Sequence, residues 1–184
     1  MSCVRAVTTP AGREVHRPGL RVRRVTAADA ARMRAHRLEM LADSPLAFLE
    51  TLAEAAERPH AEFAARVRGS ATGARRAQFV AESGDGPFVG HAGGIADPDR
   101  PGVTIVYAVY VTPGRRGSGV LGDLIEAVAA WSRAAGRPEL LLEVVVGNDR
   151  AVRAYRRLGF VDTGVRVPHP TVPVLTELQM RRAA

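Results

Sequence analysis

Gly117, Gly119 and Gly122 lie in a stretch, Tyr110 to Gly122, whose residue types can hold an anion. An apolar run, Thr104 to Val111, reads as a strand and stops at Pro113. After the glycines, Val120, Leu121, Leu124, Ile125 and Val128 recur at helical spacing. A strand, a glycine-rich turn and a helix start bring unpaired backbone N–H groups and the positive end of the helix dipole to one point. Glycines let that backbone approach an anion closely. Arg115 and Arg116, just ahead of the turn, can add fixed charge. The chemistry implied is a clamp on the diphosphate of a cofactor.

Which cofactor is a question of spacing. GSGVLG is literally a G-x-G-x-x-G, the pattern of a dinucleotide-binding turn. Such a turn follows its strand directly, whereas Gly114, Arg115 and Arg116 intervene here after Pro113. The acid that should end the next strand is replaced by Glu143, inside a strand. The chain left after the motif is too short for most of a doubly wound sheet. A P-loop fares worse, because no Gly-Lys-Ser/Thr follows.

Single residues offer less. Glu143 is the lone charge in LLLEVVV, and a carboxylate inside a strand demands a reason. His91 on a glycine-rich strand could point into a cleft, or be an ordinary surface or core histidine. Arg37 falls among the apolar residues of its helix, either to bind an acidic group or to snorkel past the core. His169, between two prolines, reads as loop structure. No His/Cys cluster has metal-ligand spacing, so no metal is assigned. Cys3 excludes a disulfide framework and is too near the chain end for a nucleophile.

These residues must be positioned by one domain. The chain has 184 residues and is 46% apolar, enough for a sizeable core. Residues 1–19 read as a flexible tail and 20–184 as a single domain. No apolar run approaches the roughly 20 residues that span a bilayer, and no secretory signal is visible. With one cysteine, a cytoplasmic protein is expected and no membrane partner. The net charge is +7, all 26 basic residues are arginine, and no lysine can be modified. That charge suits an anionic ligand. Its scatter among 19 acids, with 5% aromatic residues, argues against nucleic acid.

Periodicity predicts a strand over Leu20 to Val25 and a helix from Thr26 to about Leu41, with Asp29 near a capping-box place. A short helix carries Phe48, Leu49 and Leu52, and Pro59 opens a third with Phe63 and Val67 inward. Gly69 to Gly73 reads as a loop. Strands follow at Gln78 to Glu82, Phe88 to Ala96 and Thr104 to Val111, then a helix from about Ser118 to Gly136. Leu140 to Val146 is a buried strand, Asn148 caps a helix ending at Leu158, and Val161 to Val165 and Leu175 to Met180 are final strands. The order predicts an α/β (mixed α+β) fold: one central mixed sheet of about 6–7 strands with helices on both faces.

With these elements in place, VTPGRRGSGVLGDLIEAV resembles the acetyl-CoA-binding segment of the Gcn5-related N-acetyltransferase (GNAT) family. The family signature is Arg or Gln, two residues, Gly, any residue, then Gly or Ala. Arg116, Gly119 and Leu121 occupy those places, and Leu121 departs from the pattern. A larger side chain there could shift how the helix start meets the diphosphate. Downstream, LLLEVVVGNDRAVRAYRRLGF resembles the segment that holds the pantetheine arm, with Asn148, Ala151, Tyr155, Gly159 and Phe160 at the family spacing. The resemblance covers about Gln78 to Gly164.

It implies a GNAT-like sheet splayed between its two central strands, and attack of a primary amine on acetyl-CoA. Expected cofactor contacts are the backbone of Val109, Tyr110 and Val111, the turn from Arg116 through Gly117, Ser118, Gly119, Val120 and Leu121 to Gly122, and Asn148. An N–H of Val109 or Tyr110 would polarise the thioester oxygen. Tyr155 is implied as the acid that protonates the leaving thiolate; the plainer alternative is a core aromatic with its hydroxyl bonded to backbone. Glu143, twelve residues before it, matches the spacing in ribosomal-protein N-terminal acetyltransferases and is the candidate base, set against a strand-face Glu that meets solvent or an arginine. An ammonium near 10.4 facing a Glu near 4.3 makes direct transfer uphill by roughly 8 kcal/mol. Burial must raise the Glu, or a water chain must relay the proton. The acceptor, a small molecule or a peptide amine, is not legible. A homodimer is an expectation from relatives. The competing reading is a catalytically silent CoA-binding sensor or assembly module.

Overall fold

The computed structural model describes residues 15–17 and 19–184, with the backbone alone for 15–17. Cys3 and the rest of the N-terminal stretch lie outside the described residues. Among the described residues, eight strands form one sheet: β1 (Val15–Arg17), β2 (Leu20–Arg24), β3 (Arg76–Glu82), β4 (Phe88–Ala96), β5 (Val103–Val111), β6 (Glu139–Val145), β7 (Val161–Pro168) and β8 (Thr176–Ala183). Their order is β1-β2-β3-β4-β5-β6-β8-β7. β5 and β6 are parallel, and every other pair is antiparallel. β1 falls inside the stretch expected as a tail. Gly19, at φ 73°, turns the chain so that Arg17 pairs with Leu20.

Helices cover both faces, as expected. α4 (Val120–Ala134) and α5 (Asp149–Arg157) pack on one face, where Leu124, Ile125 and Val128 meet Leu140, Leu142 and Tyr155. α4 is amphipathic and stops where Gly136 takes φ 73°. β4 admits it closely: a Cβ on Gly90 would stand 2.9 Å from Leu124, and one on Gly94 2.9 Å from Trp131. α1 (Ala30–Asp43), α2 (Leu52–Glu57) and α3 (His60–Ala71) take the other face. There Val25, Met33, Phe63, Val67, Val80 and Phe88 form a second cluster, and Met40, Leu41, Phe48, Ala55 and Tyr110 a third.

On this face the bounds of α2 and α3 differ from the sequence reading, and α1 starts at Ala30, after a short 3-10 turn over Ala27–Asp29, where Thr26 was expected. Phe48 and Leu49 precede α2, which starts only after Thr51; that side chain accepts from the Glu54 N–H. α3 runs through Gly69, with Ser70 Oγ donating to the Arg66 carbonyl, and ends before Gly73 at φ 83°. The start of α1 is fixed to the sheet by charge. Arg23 reaches Asp29 (2.7 Å) and Glu82 (2.7 Å), while the Asp29 carboxylate accepts from the Thr26 N–H. Burial pushes the Asp29 carboxyl up, but the Arg23 and Thr26 donors outweigh it and hold it down to about 2.

Candidate active site

The two central strands part at their C-terminal ends. β5 and β6 pair only over Val103–Ile105 and Glu139–Leu141. Beyond, β5 stays with β4 as far as Val111, and β6 stays with β8 as far as Val145. The backbone of Val106 to Val111 therefore faces the gap without a β6 partner. A bulge sharpens the parting. Gly93 pairs with Tyr107 and His91 with Tyr110, so Ala108 and Val109 together stand opposite Ala92. Ala108 has φ 50°, a conformation an L-residue holds only when its surroundings impose it. His91 supplies part of that: its Nδ1–H donates to the Ala108 carbonyl at 2.6 Å.

At the open end of the gap sits the glycine turn. Gly117 (φ 78°) and Gly119 (φ 90°) take left-handed conformations, and Gly119 is the N-cap of α4. α4 thus starts at Val120, later than its sequence pattern predicts, because Gly119 turns the chain. Among the described residues, the N–H groups of Gly117, Gly119, Val120, Leu121 and Gly122 have no backbone acceptor. Five converging donors at a positive helix end suit a diphosphate. Leu121 packs its side chain against the main core, away from this end, so its N–H stays open. Arg115 is exposed beside the turn. Arg116 is not aimed outward: its Nε donates to the Val111 carbonyl (3.0 Å), its NH2 group pairs with Asp43, and it lies over the Tyr110 ring. It ties α1 to the end of β5 instead of presenting free charge. Asn148 caps α5, with Oδ1 accepting from the Ala151 N–H at 3.2 Å.

Tyr155 and Glu143 lie on opposite faces of the sheet. Tyr155, on α5, is 9% exposed and packs edge-on against Phe160 at 5.6 Å. Its hydroxyl has no hydrogen-bond partner among the described residues, unlike a core tyrosine bonded to backbone. Burial raises its pKa above the ordinary phenol value. Glu143 alternates with the buried Leu142 and Val144 and is exposed, 3.4 Å from Gln179 Nε2. That exposure is not the burial that would raise the carboxyl.

The α1–α3 face sets Glu39, Glu50, Gln78 and Tyr107, which sequence reasoning passed over, beside Arg37 and His91, which it singled out. Glu39 accepts from the Tyr110 hydroxyl (3.3 Å) and lies 3.3 Å from His36 Nδ1. Burial and the nearby Asp43 raise the Glu39 carboxyl, and burial with the Glu39 charge pushes the Tyr110 hydroxyl up to about 12. Arg37 meets Glu50 at 3.0 Å and covers the Phe48 ring. Glu50 also pairs with Arg58. Beneath the bulge a cavity of about 190 Å³ is lined by Arg37, Glu50, Gln78, His91 and Tyr107 among others. The Tyr107 ring lies flat on Gly93, where a Cβ would stand 2.4 Å from it. Helical and strand periodicity do not flag Glu39, Glu50, Gln78 or Tyr107, because each is ordinary in its own element.

The sequence model of the Acetyltransferase (GNAT) family matches residues 38–160. The chain belongs to the GNAT family. It is similar to streptothricin acetyltransferase of Streptomyces lavendulae, 37% identical over 47% of this chain and 46% of that protein. It is also similar to an IAA acetyltransferase of Azospirillum brasilense, 33% identical over 53% of this chain and 63% of that one. These matches span less than two thirds of either relative. Its fold is that of a GNAT acetyltransferase from Streptococcus pneumoniae, with a TM-score of 0.75, 18% identity, and 89% and 98% of the two chains covered. The YncA acetyltransferase of Salmonella typhimurium, solved with acetyl-CoA, aligns with a TM-score of 0.69 at 18% identity over 90% and 94%. No helix among the described residues is long and apolar enough to cross a membrane.

Proposed function

We propose that the chain is an N-acetyltransferase that moves the acetyl group of acetyl-CoA to a primary amine. The observation that carries this is the gap between β5 and β6, with the bulge at Ala108 on its wall and five open N–H groups at its mouth. Acetyl-CoA, when bound, supplies a thioester whose C–S bond breaks as the C–N bond to the acceptor forms. The turn from Gly117 to Gly122 would hold the diphosphate, and the unpaired β5 edge from Val109 to Val111 would hold the pantetheine arm by backbone pairing. Asn148 keeps the start of α5 in place and has its amide nitrogen left to donate.

The chain's own groups divide the remaining work. An N–H of Val109 or Tyr110 at the bulge stabilises charge on the carbonyl oxygen. Tyr155 donates its proton to the leaving sulfur, and burial keeps the phenol protonated through neutral pH, as a donor must be. The proton lost by the acceptor nitrogen passes through water to Glu143. Glu39, whose carboxyl is raised, is a second candidate to receive it. Cytoplasmic location and pairing of two copies belong to the same proposal. The alternative is a CoA-binding module without turnover. Thiol release from acetyl-CoA across a panel of amines separates the two. Turnover on any amine supports the enzyme, and tight CoA binding with none supports the module.

A further inference from the structure

The cavity beneath β4 and β5 contains polar atoms that the acetyl-transfer reading leaves without work. His91 Nε2, Gln78 Oε1 and the Tyr107 hydroxyl are buried, and none makes a hydrogen bond of ordinary geometry among the described residues, although Gln78 and Ser70 lie beside the hydroxyl. Buried polar atoms are nearly always paired, so three without such a bond facing one cavity call for an occupant. The tautomer of His91 is set by its neighbour. Nδ1 donates to the Ala108 carbonyl, so Nε2 presents a lone pair and asks for a donor. Ala108 lines the same cavity, which places that lone pair beside the bulge.

The charge at the other end has the opposite sign. Of the arginines lining the cavity, Arg37 and Arg58 share Glu50, and Arg66 is held by Glu62 at 2.8 Å. Arg76 has no ion-pair partner among the described residues, and its charge acts on Tyr107. It stands at the exposed start of β3. Arg76 pairs with Ile95, Gln78 with Gly93 and Val80 with His91, so the cavity runs along the strands from bulge to mouth. Its volume of about 190 Å³ equals the share of about six water molecules, the room of a small organic acceptor.

From this arrangement we infer that the acceptor is a small amine carrying an anionic group, of the amino-acid type. Its N–H donates to His91 Nε2 beside the bulge, its middle meets Gln78 and Tyr107, and its carboxylate pairs with Arg76. A polycationic amine meets four arginines against one glutamate and is disfavoured. This rests on the acetyl-transfer reading above and narrows its acceptor.

The test uses the full chain, acetyl-CoA and matched pairs of amines: γ-aminobutyrate with butylamine, phenylalanine with phenethylamine, and spermidine as the polycation. Thiol release gives kcat/KM, and thermal shift of the CoA complex gives acceptor binding. The carboxylated member of at least one pair is expected to be preferred at least tenfold, through KM. Arg76→Gln should bring that ratio to about one, and Arg76→Lys should restore most of it. Equal use of both members, or a preference for spermidine, overturns the inference and leaves acetyl transfer standing. If no amine turns over, acetyl transfer fails. The thermal shift then decides the inference alone: stabilisation by a carboxylated member and not by its partner, lost in Arg76→Gln, supports it, and no such difference overturns it.

Discussion

The two faces of the sheet at β5 offer themselves to ligands in different ways. The face under α4 and α5 offers backbone: open N–H groups from Gly117 to Gly122 and the unpaired edge of Val106 to Val111. Apart from Tyr155, its side chains are core. The face under α1 and α3 offers side chains, with Gln78, His91, Tyr107 and Arg76 converging from three strands. A backbone site recognises what is constant in a ligand, such as a diphosphate or an amide arm. A side-chain site can differ from one chain to the next. Under the proposed function the difference means that cofactor and acceptor would be chosen by separable parts of the molecule, which meet at the bulge at Ala108.

Breaking the cofactor face at its one chemical side chain should cost most. Tyr155→Phe keeps the contact with Phe160 and removes the hydroxyl. We expect kcat to fall by about 1000-fold, within the span for a positioned proton donor, with the KM for acetyl-CoA little changed. In the parent chain the acid works while protonated. Its raised pKa therefore carries the alkaline plateau beyond the ordinary phenol value of about 10. An unchanged kcat in Tyr155→Phe would make the residue a core aromatic only.

Next comes the backbone. Gly119→Val puts a β-branched side chain at φ 90° and over the open end of α4. Losing two amide contacts of about 1.4 kcal/mol each weakens CoA binding by about 100-fold. Titration calorimetry reads this directly. Thermal shift with the amines should show acceptor binding intact, and loss of both together would show that the faces are not separable.

Glu143→Gln sharpens the comparison from the acceptor face, with a smaller effect. Below the pKa of the acceptor the amine is mostly ammonium, and a base must take its proton. Above it the free amine needs none. kcat/KM should fall by about tenfold at low pH, below the usual span for a base because a relay can find other routes, and converge with the parent at high pH. An unchanged pH profile removes Glu143 from the mechanism, and Glu39→Gln then becomes the decisive variant.

The same division explains what the sequence disclosed. Glycines at fixed offsets from an apolar strand and an amphipathic helix state a backbone geometry, so the turn and the cap at Asn148 were legible, while the splay of the strands was implied only by the family resemblance. The bulge was not legible, because Ala108 carries no glycine to announce φ 50°. For Glu143 the sequence left two readings open, a base and a strand-face residue that meets solvent, and the structure shows it exposed. LLLEVVV has no alternation, yet the structure alternates it, with Leu140, Leu142 and Val144 under the helices and Glu143 facing solvent. Arg116 matched a motif place, but a motif does not say where a side chain points, and this one turns back to Asp43. Of the cavity under α1 and α3 only Arg37 and His91 stood out in the sequence; Gln78, Tyr107 and Arg76 are far apart in the chain and unremarkable one at a time.

The smallest effect bears on the glycine pattern itself. If GSGVLG were a dinucleotide turn, its third glycine would be needed for close packing of helix on strand. In this structure a Cβ on Gly122 would stand 3.5 Å from Leu158 Cδ2, an ordinary contact, on the side facing α5. In the proposed clamp the diphosphate would use the Gly122 N–H, and alanine keeps an N–H. Gly122→Ala should therefore change CoA affinity by less than about twofold while gaining roughly 0.5–1 kcal/mol of stability from a helix position freed of glycine. Thermal melting and the same calorimetric titration read both. A large loss of affinity would mean that the ligand approaches Gly122 from the side that packs on α5. The register of the clamp, now set by Arg116, Gly119 and Leu121, would then have to move back onto the three glycines.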